Sequence, residues 1–201
     1  MNKTVLDNFI VLYSKNENID FVTFLQEIED EKSTSNLWEI SSLNNISDTD
    51  HIVNQKIINL PTSDKLASFV NNSVSMEEGQ VIKKNNLKYK LNNYTFPFLL
   101  DYIENYELSI KKIKPWIVCE QIDGSDFHSD INRDGLKHSY TVVVALNDGY
   151  IGGEVYFENR VGNDPIKLLQ GDVLIYPSNN KYRHKESQVI SGTKYTAISY
   201  F

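Results

Sequence analysis

The spacing of apolar positions divides the chain into two unlike halves. Near the start, "VLDNFIVLY" (5–13) is a dense apolar run that predicts a strand. Phe21, Phe24, Leu25 and Ile28 then fall on one face of an amphipathic helix, with Asp20 near its start. "HIVNQKIINLP" (51–61) predicts a second strand, stopped by Pro61. Ser63 can cap a helix whose Leu66, Phe69 and Val70 share a face. The stretch from Asn71 to Asn86 has little pattern, and its start reads as loop. Leu99, Tyr102, Ile103, Tyr106 and Ile110 restore the helical period, beginning just after Pro97.

From Ile113 onward short β-rich runs alternate with turn signals. "IVCEQI", "YTVVVAL", "EVYFE", "VLIYP" and "KYTAISYF" are separated by Asp-Gly, Gly-Gly and Gly-Asp steps. Many short strands at regular spacing predict a sandwich or barrel and not a βαβ array. No repeat, linker or low-complexity tract parts the halves. The expectation is one domain over 1–201: a mixed α/β support region (1–112) whose helices cover a mainly β core (113–201).

Composition narrows the function more than the fold. At 201 residues, with 40% hydrophobic and 23% charged positions, the chain can build one substantial core. Its net charge of -7 is the wrong sign for general adhesion to nucleic acid or anionic membrane. Cys119 is alone, so neither a disulfide framework nor a thiolate metal cage is available, and in "WIVCEQ" it reads as a buried thiol. Apolar runs fall far short of the ~20 residues a membrane helix needs. With no signal-peptide pattern at the start, the expectation is a soluble cytoplasmic protein.

The candidate chemistry lies in "GSDFHSDINRDG" (124–135). On extended backbone His128 and Asp130 point the same way and can grip one ion. Such a pair alone is more often a solvated polar loop. An imidazole and a carboxylate leave a divalent metal short of ligands, and His51, His138 and His184 are the histidines that could complete it. Two His and one carboxylate on one face of a metal suit ferrous iron and leave three positions open. Lys194 follows ten residues after His184, inside the apolar strand "SGTKYTAISYF". Either it faces solvent, or it meets an anion such as the remote carboxylate of a co-substrate.

Taken in order, His128-Ser129-Asp130, Leu146-Asn147, Gly152-Gly153-Glu154 with Phe157, Gly171-Asp172 with Pro177, His184, and Gly192-Thr193-Lys194-Tyr195 form a recognisable set. Through it, residues 116–201 resemble the iron(II)- and 2-oxoglutarate-dependent dioxygenases, most of all the prolyl 4-hydroxylase branch. "LDNFI" followed by a helix also resembles the usual entry to that catalytic domain. The resemblance implies a double-stranded β-helix, a cupin-like jelly roll with N-terminal supporting helices. It implies Fe(II) held by His128, Asp130 and His184, with 2-oxoglutarate and O2 as co-substrates and ascorbate as an optional reductant. Lys194 matches the residue that pairs with the C5 carboxylate of 2-oxoglutarate, with Thr196 beside it on the strand. His138 and Tyr200 fall where relatives contact the prime substrate.

The implied activity is hydroxylation of an unactivated C–H, coupled to decarboxylation of 2-oxoglutarate to succinate, with peptidyl proline as the substrate. Alternatives are an oxygenase of small molecules or nucleic acid, or a jelly-roll module that has lost catalysis. Three positions depart from the family pattern. Ala145 and Gln121 stand where aromatic hydroxyls are common, and Val155 where Thr often follows "GGE".

Overall fold

The computed structural model describes residues 2–14, 21–34, 39–42, 54–59, 76–109, 113–114, 116–121, 123–131, 139–162 and 164–201. The Ser63-capped helix, His51, His138 and Ile110 lie outside them.

"VLDNFIVLY" makes two strands where the apolar run predicted one. β1 (Asn2–Asp7) and β2 (Ile10–Ser14) form an antiparallel hairpin. Asp7 causes the break: its Oδ1 accepts the Asn8 N–H (2.6 Å), a local turn that an apolar count cannot see. Helix α1 (Phe21–Thr34) forms as its period predicts, burying Phe21 and Ile28. β3 (Glu39–Ser42) and β4 (Asn54–Asn59) follow.

Helix α2 spans Met76–Asn105, longer than predicted at its start. The patternless stretch from Met76 is helical because Met, Glu, Gln and Lys favour a helix without an apolar stripe, while its start (71–75), read as loop, lies outside the described residues. Pro97 lies inside α2 instead of opening it. Pro97 and Asn93 are both exposed, so the Asn93 carbonyl, deprived of its N–H partner, faces water.

The β half supplies β5 (Ile117–Gln121), β6 (Tyr140–Ala145), β7 (Ile151–Gly152), β8 (Val155–Phe157), β9 (Val173–Pro177), β10 (His184–Glu186), β11 (Val189–Ser191) and β12 (Lys194–Tyr200). Among the described residues an eight-stranded antiparallel sheet runs β1-β2-β9-β6-β12-β5-β4-β3. β8 pairs with β10 and β7 with β11, giving the short second layer of the double-stranded β-helix. The N-terminal half therefore extends the sheet as well as covering it: β2 pairs with β9, and β4 with β5.

Alternation along the strands sorts the large sheet into two faces. Val118, Val142, Val144, Val173, Ile175, Tyr195 and Ala197 pack with Leu91, Phe98, Leu99 and Tyr102 of α2. The other face carries Cys119, Val143, Ala145, Leu174, Tyr176, Ile198 and Tyr200, packed with Val155 and Phe157 of the second layer. α2 is also tied down by polar contacts: Trp116 Nε1 donates to Asn92 Oδ1 (2.8 Å), and the Tyr102 hydroxyl donates to the Phe9 carbonyl (2.8 Å). Among the described residues no helix is long and apolar enough to cross a membrane.

Candidate metal centre

The loop after β5 is pinned to β10. The Ser125 N–H donates to the Glu186 carbonyl (2.8 Å), and the Glu186 N–H donates to Ser125 Oγ (2.9 Å). Further along, His128 and His184 exchange both backbone hydrogen bonds, each 2.9 Å, in an isolated antiparallel bridge. Gly124 permits this approach, since a Cβ there would sit 2.8 Å from the Glu186 carbonyl oxygen. The two imidazoles consequently lie with ring centroids 4.5 Å apart.

Asp130 is wholly buried between them. Its Oδ1 is 3.8 Å from His128 Nε2, and its Oδ2 is 3.6 Å from His184 Nε2. The two distances involve different carboxylate oxygens, so each imidazole faces its own oxygen of Asp130. One ligand atom from each of the three residues lies within 4.8 Å of the others.

Each imidazole is oriented by a carbonyl two residues earlier. His128 Nδ1 lies 2.8 Å from the Asp126 oxygen, and His184 Nδ1 lies 3.3 Å from the Tyr182 oxygen. With the proton on Nδ1, the Nε2 lone pairs face Asp130, the arrangement a metal requires. Asp130 Oδ2 accepts hydrogen bonds from Thr141 Oγ1 (2.9 Å) and the Tyr176 hydroxyl (3.1 Å). These two donors compensate the burial of its charge and leave Oδ1 as the oxygen presented to an ion. Thr141 also shares a hydrogen bond with Ser178 Oγ (2.9 Å), while the Tyr176 hydroxyl lies 3.2 Å from His184 Nε2. A His–Asp–His set of this kind fits ferrous iron.

Lys194 does not face solvent. It is fully buried, and its Nζ donates to the Gly153 carbonyl (2.7 Å) and to Glu186 Oε1 (3.1 Å). Gly153 has φ +70°, and a Cβ there would meet Lys194 Cδ at 2.9 Å, so glycine makes room for the lysine stem. Glu186 is two residues beyond His184 on β10, so alternation turns both side chains to the same side. Thr196 is buried two residues after Lys194, level with Cys119 and Ala145. Gln121 is the cross-strand neighbour of Lys194. Its amide nitrogen donates to the Asp123 (3.1 Å) and Ser187 (3.2 Å) carbonyls, and its buried Oε1 has no hydrogen-bond partner.

Ile131, the residue after Asp130, helps line a groove of about 520 Å³ together with Phe9, Tyr140, Pro177, Lys181 and Tyr182; none of His128, Asp130 and His184 lines it. Tyr140 is thus on its wall. Tyr200 is 1% exposed and packs in the apolar cluster with Ile10, Val143 and Tyr176, behind the groove surface. Sequence reasoning missed Thr141, Tyr176 and Glu186. Alternation from His184 to Glu186 was the one available signal. The two hydroxyls reach Asp130 from β6 and β9, which no spacing in the chain reveals.

The fold is a double-stranded β-helix that carries a candidate His–Asp–His metal site. The structure is similar to a prolyl hydroxylase from Trichoplax adhaerens, solved with a hypoxia inducible factor oxygen degradation domain peptide fragment. That superposition has a TM-score of 0.67 at 15% identity and covers 96% of this chain and 83% of the other. It is also similar to the viral collagen prolyl hydroxylase of Paramecium Bursaria Chlorella virus-1, solved with 2-oxoglutarate (TM-score 0.58, 15% identity, 96% and 95% covered). In sequence the chain is 27% identical over 133 residues to a PKHD-type hydroxylase of Prochlorococcus marinus strain MIT 9215. The match spans 58% of each protein, little more than half the length of that relative. No family model matches. The resemblance to prolyl hydroxylases, and the fold it implied, are borne out.

Proposed function

We propose that the protein is an Fe(II)- and 2-oxoglutarate-dependent hydroxylase whose prime substrate is a peptidyl proline. The observation that carries this reading is the buried Asp130 between two histidines with oriented Nε2 atoms. Fe(II) held there, with a 2-oxo acid and dioxygen, supplies hydroxylation of a C–H bond with release of CO2. His128, Asp130 and His184 would hold the ion, which would have further positions for the co-substrates. Thr141 and Tyr176 hold Asp130 in its productive rotamer. Phe9, Tyr140 and Tyr182 give the groove flat apolar walls, on which a pyrrolidine ring packs well. The hydroxylase names of the relatives and the peptide bound by the Trichoplax enzyme support the same assignment. The acidity of the chain disfavours a nucleic-acid substrate.

Incubation with Fe(II), 2-oxoglutarate, ascorbate and proline-rich peptides is expected to yield succinate and a product heavier by one oxygen. His128→Ala, Asp130→Ala and His184→Ala are each expected to abolish succinate. Stimulation by methylated oligonucleotides and not by peptides would replace the proline assignment. Succinate formation unchanged in all three variants would remove the metal centre itself.

A further inference from the structure

We propose that Glu186 sets the co-substrate specificity of this centre: its carboxylate already engages Lys194 where the distal carboxylate of 2-oxoglutarate would have to bind. The inference rests on the reading of the site as an Fe(II) and 2-oxo-acid centre.

A lysine at 0% exposure needs an anion, and in this fold the anion is internal. Glu186 reaches Nζ at 3.1 Å and Gly153 at 2.7 Å, so two of the three ammonium donors are taken. The Glu186 side chain is only 18% exposed, and its backbone is clamped on both sides by Ser125. Its position two residues past His184 sets it one strand repeat, about 6.8 Å, from that candidate metal ligand on the same side of the strand.

Among the described residues the surroundings supply no surplus positive charge. Lys167 donates to the Tyr150 and Gly152 carbonyls (2.9 Å each) and lies 3.7 Å from the Tyr150 ring centroid. The nearby Glu154 carboxylate accepts from Ser187 and attracts Lys167, so the two cations and two carboxylates around this turn balance. Opposite Lys194, Gln121 has committed its N–H groups to carbonyls and leaves an unpartnered acceptor oxygen. A second carboxylate entering here must displace Glu186 against another acceptor. A 2-oxo acid ending in a methyl group meets no such competition. The groups around Lys194 therefore discriminate little between diacid and monoacid, although a lysine is the kind of residue that favours the diacid.

The test is calorimetry on the full chain loaded with Mn(II), a redox-silent probe of the iron site. Mn(II) is titrated first, with His128→Ala as the non-binding control. 2-Oxoglutarate and 2-oxovalerate, the same five-carbon acid with a methyl in place of the second carboxylate, are then compared. Wild type is expected to bind the two within about threefold of each other. In Glu186→Gln, 2-oxoglutarate is expected to tighten on the order of 10- to 100-fold, with 2-oxovalerate little changed. The double variant Glu186→Gln/Lys194→Met buries no charge at the pair and is expected to lose that gain. If Glu186→Gln fails to fold, the wild-type ratio and the double variant still decide. A wild type that prefers 2-oxoglutarate by more than about tenfold, or an unchanged ratio in Glu186→Gln, overturns the proposal and leaves the oxygenase reading standing. Mn(II) binding with neither acid binding, or no Mn(II) binding, overturns both.

Discussion

Thr141 and Tyr176 offer a graded test of how the protein holds its metal. Thr141→Val is nearly isosteric and removes the 2.9 Å donor to Asp130 Oδ2 together with the link to Ser178. A buried hydrogen bond to a charged group contributes about 1.5–3 kcal/mol, and loss of a partner behind a metal ligand typically costs roughly 10–100-fold in affinity. These figures agree, since about 1.4 kcal/mol is a factor of ten. Tyr176→Phe also loses a donor to Asp130, at 3.1 Å, but its hydroxyl oxygen also crowds His184 Nε2 at 3.2 Å, the atom a metal needs. Removing that competitor offsets part of the loss. Thr141→Val should therefore weaken Mn(II) by about 10–100-fold and Tyr176→Phe by less than ~10-fold. The assay is Mn(II) calorimetry, paired with the metal-induced rise in Tm so that altered apo stability is separated from altered binding. Wild-type affinity in Thr141→Val, or a larger loss in Tyr176→Phe, would refute the reasoning.

Two further outcomes follow from the same geometry. Gly153→Ala combines an unfavourable φ of +70° with a Cβ 2.9 Å from Lys194 Cδ; it should destabilise the fold by about 1–3 kcal/mol in urea denaturation, and a loss below ~0.5 kcal/mol would show that the lysine stem moves aside at little cost. Burial raises the Asp172 carboxyl above its ordinary value of 3.8. The folded state thus holds this proton more tightly than the unfolded state, so its contribution to stability falls as pH rises through the window above 3.8. Asp172→Asn should flatten that slope in a Tm-against-pH series, and an undiminished slope would assign it to other carboxylates.

The candidate metal ligands are legible in the sequence because HxD is a local pair and the fold's turn residues mark the order of its strands. Lys194 is legible because a cation in an apolar strand is costly. What the lysine meets is not: Glu186 lies on another strand pair, and its role depends on β10 packing over the start of β12. Helix α2 escaped at its first turns for a different reason. Its polar N-terminal segment is helical through propensity, which leaves no hydrophobic period to detect. The first hairpin shows the converse failure, where one continuous apolar run hides a turn made by the side chain of Asp7. Tyr200 stands, by the resemblance, where relatives contact the prime substrate; in the structure it is buried on β12 with the rest of that strand.

The irregularity in the outermost strand bears on how the molecule avoids its own copies. β1 borders the eight-stranded sheet, and its register slips between Val5 and Asp7, leaving Leu6 without a cross-strand partner on β2. A regular exposed border invites another chain to add a strand, whereas a bulge bends and interrupts the row of amides on offer. With Lys3 tethered to Asp101 at 2.7 Å, that border is also curled back toward α2. The hairpin in turn caps β9, which brings Tyr176 to the metal ligands, so the device that discourages aggregation also shields the strand beneath the active centre.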